Sequence, residues 1–243
     1  MLYAGALDSA GRIYSYNRYN KKANKVRCVI QKQSFNGSFF ADNAIRQGNK
    51  LKLTKNVTET CQYYAFYFDI ASPQTYPQLW QNLINNFGPL NRREQTYPKI
   101  CPSALFFGKL LRLELLSRHD LAQQALNELI KIFEPQAIKT GTFWEHDTPK
   151  HSLCHAFGSH VIRCLFRDAL GIRKIDNINK KITIRFNKST LSNCSGIKHL
   201  GDNIISFSWF KENTNIFYKL DFPTCYKINI ENKTGTEIIN LGS

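Results

Sequence analysis

A helical region followed by a small antiparallel β-sandwich, mostly α plus β overall, is the fold class that this 243-residue chain predicts. Three observations predict it. Apolar residues recur at the helical period in five segments between residues 56 and 170. From about residue 174 the pattern changes to alternation in short segments separated by turn residues. Helices and strands are therefore segregated, which divides the chain into two domains, 1–173 and 174–243, instead of alternating βα units.

Residues 1 to about 50 are polar and turn-rich, with loop character at Gly11-Arg12-Ile13-Tyr14 and Asn36-Gly37-Ser38-Phe39. No strong cap or core-facing period opens the chain, so it reads as one taken up partway through a larger fold. A first helix is expected from Asn56, where Glu59 three residues on gives a capping-box-like pattern. It runs through Tyr63-Tyr64-Ala65-Phe66-Tyr67-Phe68, and Pro73 closes it. A second starts at Thr75-Tyr76-Pro77-Gln78, carries Leu79, Trp80, Leu83, Ile84 and Phe87 on one stripe, and ends at Gly88-Pro89.

The third helix begins near Pro102-Ser103. It is apolar almost all round (Leu105, Phe106, Phe107, Leu110, Leu111, Leu113, Leu116), which predicts packing on several sides. The fourth opens near Asp120 and carries Leu121, Ala122, Ala125, Leu126, Leu129, Ile130 and Phe133 before Pro135. Short connections make successive helices antiparallel hairpins. A fifth helix over about 150–170 carries Phe157, Val161, Ile162, Leu165, Phe166, Ala169 and Leu170, and Gly171 stops it. Strands follow at 182–186, 204–209, 216–220 and 226–230.

Composition bounds the partners. With 42% hydrophobic and 21% charged residues the chain is an ordinary globular one. Seven cysteines, odd in number and without a C-x-x-C pair, argue against a disulfide framework and a structural zinc site. The N-x-[ST] triplets at Asn36, Asn56, Asn187, Asn193 and Asn232 are accounted for by the abundance of Asn. No apolar run is long enough to span a bilayer, and the N-terminus lacks the form of a signal peptide. A cytoplasmic protein with no membrane partner is the expectation. A formal net charge of +15 invites nucleic acid, but the basic residues are dispersed and no nucleic-acid-binding motif appears. No nucleic-acid partner is therefore expected.

The chemistry concentrates at Gly141-Thr142-Phe143-Trp144-Glu145-His146-Asp147-Thr148-Pro149 and the apolar segment after it. Four of the six histidines lie between residues 146 and 160. A carboxylate, an imidazole and an aromatic wall together are what a catalytic site needs. His151 and His155 at i,i+4, with Glu145 and His160 nearby, raise a metal reading, but the H-E-x-x-H order is absent. No metal and no cofactor are expected.

Trp144-Glu145 followed by Ser152-Leu153-Cys154-His155 resembles the late active-site segment of the α-L-rhamnosidases and related six-hairpin glycosidases. Phe39-Phe40-Ala41-Asp42-Asn43-Ala44-Ile45-Arg46 and Thr58-Glu59-Thr60-Cys61-Gln62-Tyr63-Tyr64-Ala65-Phe66 resemble two earlier blocks of that family, in the same order. The resemblance runs from about residue 10 to the end of the chain. It implies part of an (α/α)6 six-hairpin barrel followed by a β-sandwich, and inverting hydrolysis of α-L-rhamnosides or related sugars. It also implies that Glu145 is the general base that activates water.

In that reading Trp144 presents an apolar face to the sugar, and His155 donates to a hydroxyl from one helical turn beyond His151. Asp42 and Arg46 lie at the barrel mouth, and Gln62 and Tyr63 face sugar or core. Glu59 is either a further sugar contact or the helix cap, and a solvated turn accounts equally for Asp42 and Arg46. The sequence departs from the family in one respect. Only 144 residues precede Glu145, without the acidic block that carries the family's general acid. About five or six helices stand where a whole barrel has twelve. A C-terminal fragment is therefore implied, with its carbohydrate substrate and a partner supplying the missing barrel half. The non-enzymatic alternative is a carbohydrate-binding or structural remnant of such an enzyme.

Overall fold

The computed structural model describes residues 1–91 and 96–242. Two compact units divide the chain. The first comprises Met1–Leu115 with Glu145–Ser152, and the second Leu116–Trp144 with Leu153–Ser243. This division is cut differently from 1–173 and 174–243, because two helices belong to the same unit as the strands.

The first unit opens with helices α1 (Leu2–Ile13) and α2 (Asn17–Ser34). The expectation of a turn-rich segment here is corrected. α2 carries many polar residues and buries only Ala23, so it lacks the wide apolar stripe that betrays a helix in sequence. Its position is fixed by polar links instead. Arg27 pairs with Asp8, and its Nε donates to the carbonyl of Phe68 at 3.0 Å. A β-hairpin follows, β1 (Ala44–Gln47) and β2 (Lys50–Leu53), whose two-residue turn places Gly48 at φ +58°.

Helix α3 (Glu59–Tyr67) starts one residue after its cap, Thr58, whose Oγ1 accepts from the Cys61 backbone N–H at 3.1 Å. Asn56 is thus not the cap, and Glu59 is no capping-box residue; the hydroxyl nearer the helix has taken the orphan donor. Helix α4 (Pro77–Asn86) buries Leu79, Trp80 and Leu83, as its stripe predicts. Rings at 5.1 Å join Phe66 to Trp80, and Phe35 to Phe40. A π-helical turn over 105–109 leads into α5 (Leu110–Arg118). Of the apolar residues expected there, the side chains of Leu105 and Phe106 lie outside the described residues. Phe107 is 64% exposed, while Leu113 is buried.

In the second unit α6 (Ala122–Thr140) runs through Pro135, not up to it. An internal proline costs a helix about 3 kcal/mol. Beyond it, Gln136 stays buried and accepts from the Trp144 backbone N–H at 2.8 Å, which keeps the last turn in register. The fifth expected helix is shorter than 150–170. A 3₁₀ turn (Ala156–Ser159) leads into α7 (His160–Cys164), followed by a π-helical turn (Leu165–Leu170). Gly171 stops it at φ +103°, the left-handed conformation expected of that glycine.

Seven strands complete the unit: β3 (Ile172–Asp176), β4 (Lys181–Phe186), β5 (Asn193–Leu200), β6 (Asn203–Glu212), β7 (Asn215–Asp221), β8 (Lys227–Asn232) and β9 (Glu237–Asn240). They form two sheets, β3-β4-β8 and β5-β6-β7-β9. The sheets are mixed, which corrects the all-antiparallel expectation: β8 runs parallel to β4, and β9 parallel to β7. After β7 the chain leaves one sheet for the other and then returns. No tight hairpin dictates strand direction at those joins. Alternate residues meet in one core: Ile182, Ile184 and Phe186 from the first sheet, with Ile205, Phe207, Trp209, Ile216, Tyr218 and Leu220 from the second. The Trp209 indole donates to the Leu170 carbonyl at 3.1 Å, tying this core to the turn before Gly171.

Candidate functional site

Each unit carries its own part of the residues singled out by sequence. In the first unit Glu145 opens the loop Glu145–Ser152. Its backbone N–H donates to the Ser152 carbonyl at 2.8 Å, and the Ser152 N–H donates back to Glu145 Oε2 at 3.4 Å. The loop is thereby closed on itself, with Glu145 half-buried at its neck. Inside it, the His146 and His151 rings lie 4.3 Å apart, and Asp147 pairs with Lys109 Nζ at 2.5 Å. Lys109 is itself buried, so this ion pair anchors the loop to the body of its unit.

The upstream residues separate into two groups. Asp42 is exposed and accepts from the Thr58 N–H at 3.1 Å and the Thr58 hydroxyl at 3.0 Å, so it braces the start of α3. Beside it the Cys61 thiol is pushed up to about 12, by burial first and then by the charge of Asp42. Arg46 lies on β1 with its side chain in solvent. Gln62 is fully buried. Its amide oxygen accepts from the Phe40 N–H, and its amide nitrogen donates to the carbonyls of Phe40 and Thr58, all within 3.0 Å. Those bonds make it a structural splint between α3 and the segment before β1.

Glu59 and Tyr63 form the second group. Glu59 is 6% exposed and accepts three bonds: from the Tyr63 hydroxyl at 3.1 Å, the Ser103 N–H at 3.2 Å and the Gly88 N–H at 3.4 Å. Arg112, entirely buried, stands over the Tyr63 ring at 5.6 Å and donates to the Leu83 carbonyl. The same Glu59 borders a cavity of about 220 Å³ walled by Phe87, Tyr97 and Pro102. Phe87, Tyr97 and Ser103 are the residues that sequence reading missed. In sequence Phe87 reads only as part of an apolar helical stripe and Ser103 only as a helix start. The Ser103 hydroxyl is buried without a hydrogen-bond partner among the described residues.

In the second unit Trp144 is 5% exposed. Its indole N–H donates to Thr140 Oγ1 at 2.7 Å, and Lys139 Nζ stands 5.7 Å from the ring centroid. Trp144 therefore packs on the last turns of α6. His155 is partly exposed and lies in no helix with His151. It caps the 3₁₀ turn instead, with Nδ1 accepting from the Phe157 N–H at 3.4 Å and its ring stacked on Phe157 at 5.0 Å.

No protein-family model and no curated protein matches the sequence. Among solved structures, the chain is similar to a GH78-family rhamnosidase from Bacillus sp. GL1, with a TM-score of 0.82 and 15% identity. The likeness covers 98% of this chain and 26% of that one, so the chain spans about a quarter of the length of the structure it matches. At that identity the likeness defines the fold, a mixed helix-and-sheet fold of the kind found within that rhamnosidase. Among the described residues, no helix is long and apolar enough to cross a membrane.

Proposed function

We propose that this chain is part of a glycoside hydrolase of the α-L-rhamnosidase type. The observation that carries the reading is the fold likeness to a rhamnosidase across 98% of the chain, found independently of the Trp144-Glu145 motif. In this reading residues 1–173 are a portion of an (α/α)6 barrel and 174–243 its β-sandwich domain. The carbohydrate is cleaved with inversion, and the general acid comes from outside the chain or from a partner.

Glu145 is the residue on which the mechanism rests. A carboxylate held by one backbone N–H retains lone pairs to accept a proton from water. Inverting hydrolysis needs such a group about 6.5–9.5 Å from the acid, so that one water fits between the base and the anomeric carbon. His155 contacts a sugar hydroxyl, and Asp42 and Arg46 supply solvent-facing polar contacts. The bonds of Gln62, Glu59 and Trp144 serve the fold first; their part in binding is to hold backbone and aromatic surface in place.

An aryl glycoside with a good leaving group, such as dinitrophenyl α-L-rhamnoside, departs without protonation and so bypasses the missing acid. The purified chain is expected to hydrolyse it. Glu145→Gln is expected to lower the rate by about 10²–10⁴, the usual contribution of a general base. Equal rates for the two proteins would remove Glu145 from the mechanism, and no turnover by either would remove the hydrolase reading from this chain.

A further inference from the structure

Helix α2 presents a basic stripe to solvent. Arg18, Lys21, Lys22, Lys25 and Lys32 recur at steps of three, four and seven residues, so they lie along one side of the helix. All five are exposed, and none is in an ion pair among the described residues. Ala23 and Arg27 lie on the other side, where the first is buried and the second holds Asp8. Asp8 is the only acid between residues 1 and 34, against seven cations. The basic residues, dispersed along the sequence, therefore gather on this helical hairpin.

Tyrosines border the stripe. Tyr14 is 71% exposed, and Tyr3 and Tyr16 are about half exposed. Tyr19 is in ring contact with Tyr14 and Tyr16, at centroid distances of 6.5 and 5.4 Å. Lys22 stands over the Tyr3 ring at 5.5 Å, which brings the aromatic surface of α1 to the stripe. The charges work against the helix that carries them. Like charges at i,i+4, Arg18 with Lys22 and Lys21 with Lys25, repel each other. Arg18 also adds a cation to a first turn that holds no acid. A polyanion laid along α2 relieves both.

We propose that this stripe binds an acidic polysaccharide, a chain of sugars carrying carboxylate or sulfate groups. From Arg18 to Lys32 it runs about 21 Å, at about 1.5 Å per residue, the reach of several sugar residues. The ammonium and guanidinium groups meet the anionic substituents. The exposed tyrosines present apolar faces to the sugar rings, with a hydroxyl at each edge. The choice of a polysaccharide among polyanions rests on the hydrolase reading, which supplies the carbohydrate. Single contacts of this exposed kind are weak, so affinity comes from several made at once along one chain. It falls as salt screens them.

Calorimetric titration of the whole chain with polygalacturonate, carrageenan, neutral dextran and a single-stranded oligonucleotide tests it. One or both acidic polysaccharides are expected to bind, more weakly as salt is added, and the tighter of the two names the anionic group. Dextran is expected not to bind. Lys21→Glu combined with Lys25→Glu is expected to weaken the binding by about tenfold or more. Neither lysine is bonded to another side chain among the described residues, so this variant should melt as the parent does. The same change of charge at the exposed Lys188 and Lys227, in the second unit, is expected to leave affinity within about twofold. Equal loss in both variants, no binding of either acidic polysaccharide at low salt, or dextran bound as well would overturn the proposal. An oligonucleotide that binds more tightly than either polysaccharide would overturn it in favour of a nucleic-acid surface. Binding is read here without turnover. A chain that binds an acidic polysaccharide but cleaves no aryl rhamnoside loses the hydrolase reading alone, and one that cleaves the rhamnoside but binds neither polysaccharide loses the stripe alone.

Discussion

Glu145 and Ser152 are bonded to each other twice, the backbone N–H of Glu145 to the Ser152 carbonyl and the Ser152 N–H to the Glu145 carboxylate. The side chain on which the proposed chemistry rests thus also closes its own loop. An amide oxygen accepts the Ser152 N–H as a carboxylate does. Glu145→Gln should therefore fold normally, its melting temperature within about 2 °C of the parent in a thermal scan, as for a substitution that removes no contact. A larger fall would mean that the charge itself holds the loop.

Glu59 predicts the opposite behaviour. Its three donors are buried, so Glu59→Ala leaves the Ser103 and Gly88 N–H groups and the Tyr63 hydroxyl without an acceptor. Each unsatisfied buried group costs about 1–3 kcal/mol. A loss of at least about 2 kcal/mol is expected from urea midpoints, with Glu59→Gln recovering part of it through the remaining amide oxygen. A change under about 0.5 kcal/mol would show that water reaches this carboxylate from the adjoining cavity.

Asp168 is the hub of the second unit's buried charge, held by Arg167, Ser117 and Arg173. Asp168→Ala removes the carboxylate that the buried Arg167 guanidinium grips, and breaking such a buried pair costs about 3–5 kcal/mol. Chemical unfolding of the variant should show that loss, while Lys188→Ala, on an exposed side chain, should show almost none.

Cysteine chemistry offers a test by pH. Burial and the charge of Asp42 raise the Cys61 thiol from 9.0 to about 12, so it remains protonated at pH 8. Alkylation with iodoacetamide at that pH should modify the exposed Cys28, Cys101, Cys154 and Cys225 and spare Cys61. The linkage has a definite sign. The folded state binds this proton more tightly than the unfolded one. The stability it contributes is whole below pH 9.0 and is lost as pH climbs from there through about 12. Cys61→Ser should flatten that decline in unfolding measured across the alkaline range.

The sequence made legible the elements whose apolar period is strong. α4 with its Leu79, Trp80 and Leu83 stripe, Gly171 as a stop, and strands β4, β6, β7 and β8 follow from pattern alone. α2 was hidden because one alanine is its whole buried face. Pro135 ended a helix on paper that Gln136 and Trp144 continue in space, a long-range bond that no local rule contains. Strand direction in the sheets was equally hidden, since β8 and β9 pair with partners far along the chain. At the candidate site, residue types were legible but their duties were not. Gln62 reads in sequence as facing sugar or core, and both ends of its amide are spent on Phe40 and Thr58.

The most direct test of Glu145 as general base is azide rescue of Glu145→Ala on dinitrophenyl α-L-rhamnoside. Azide needs no deprotonation and fits the space a carboxylate vacates. The account predicts that the variant is slowed by about 10²–10⁴ in water, recovers with added azide, and yields a glycosyl azide of inverted anomeric configuration. A variant as fast as the parent, or one that azide leaves unchanged, would contradict it.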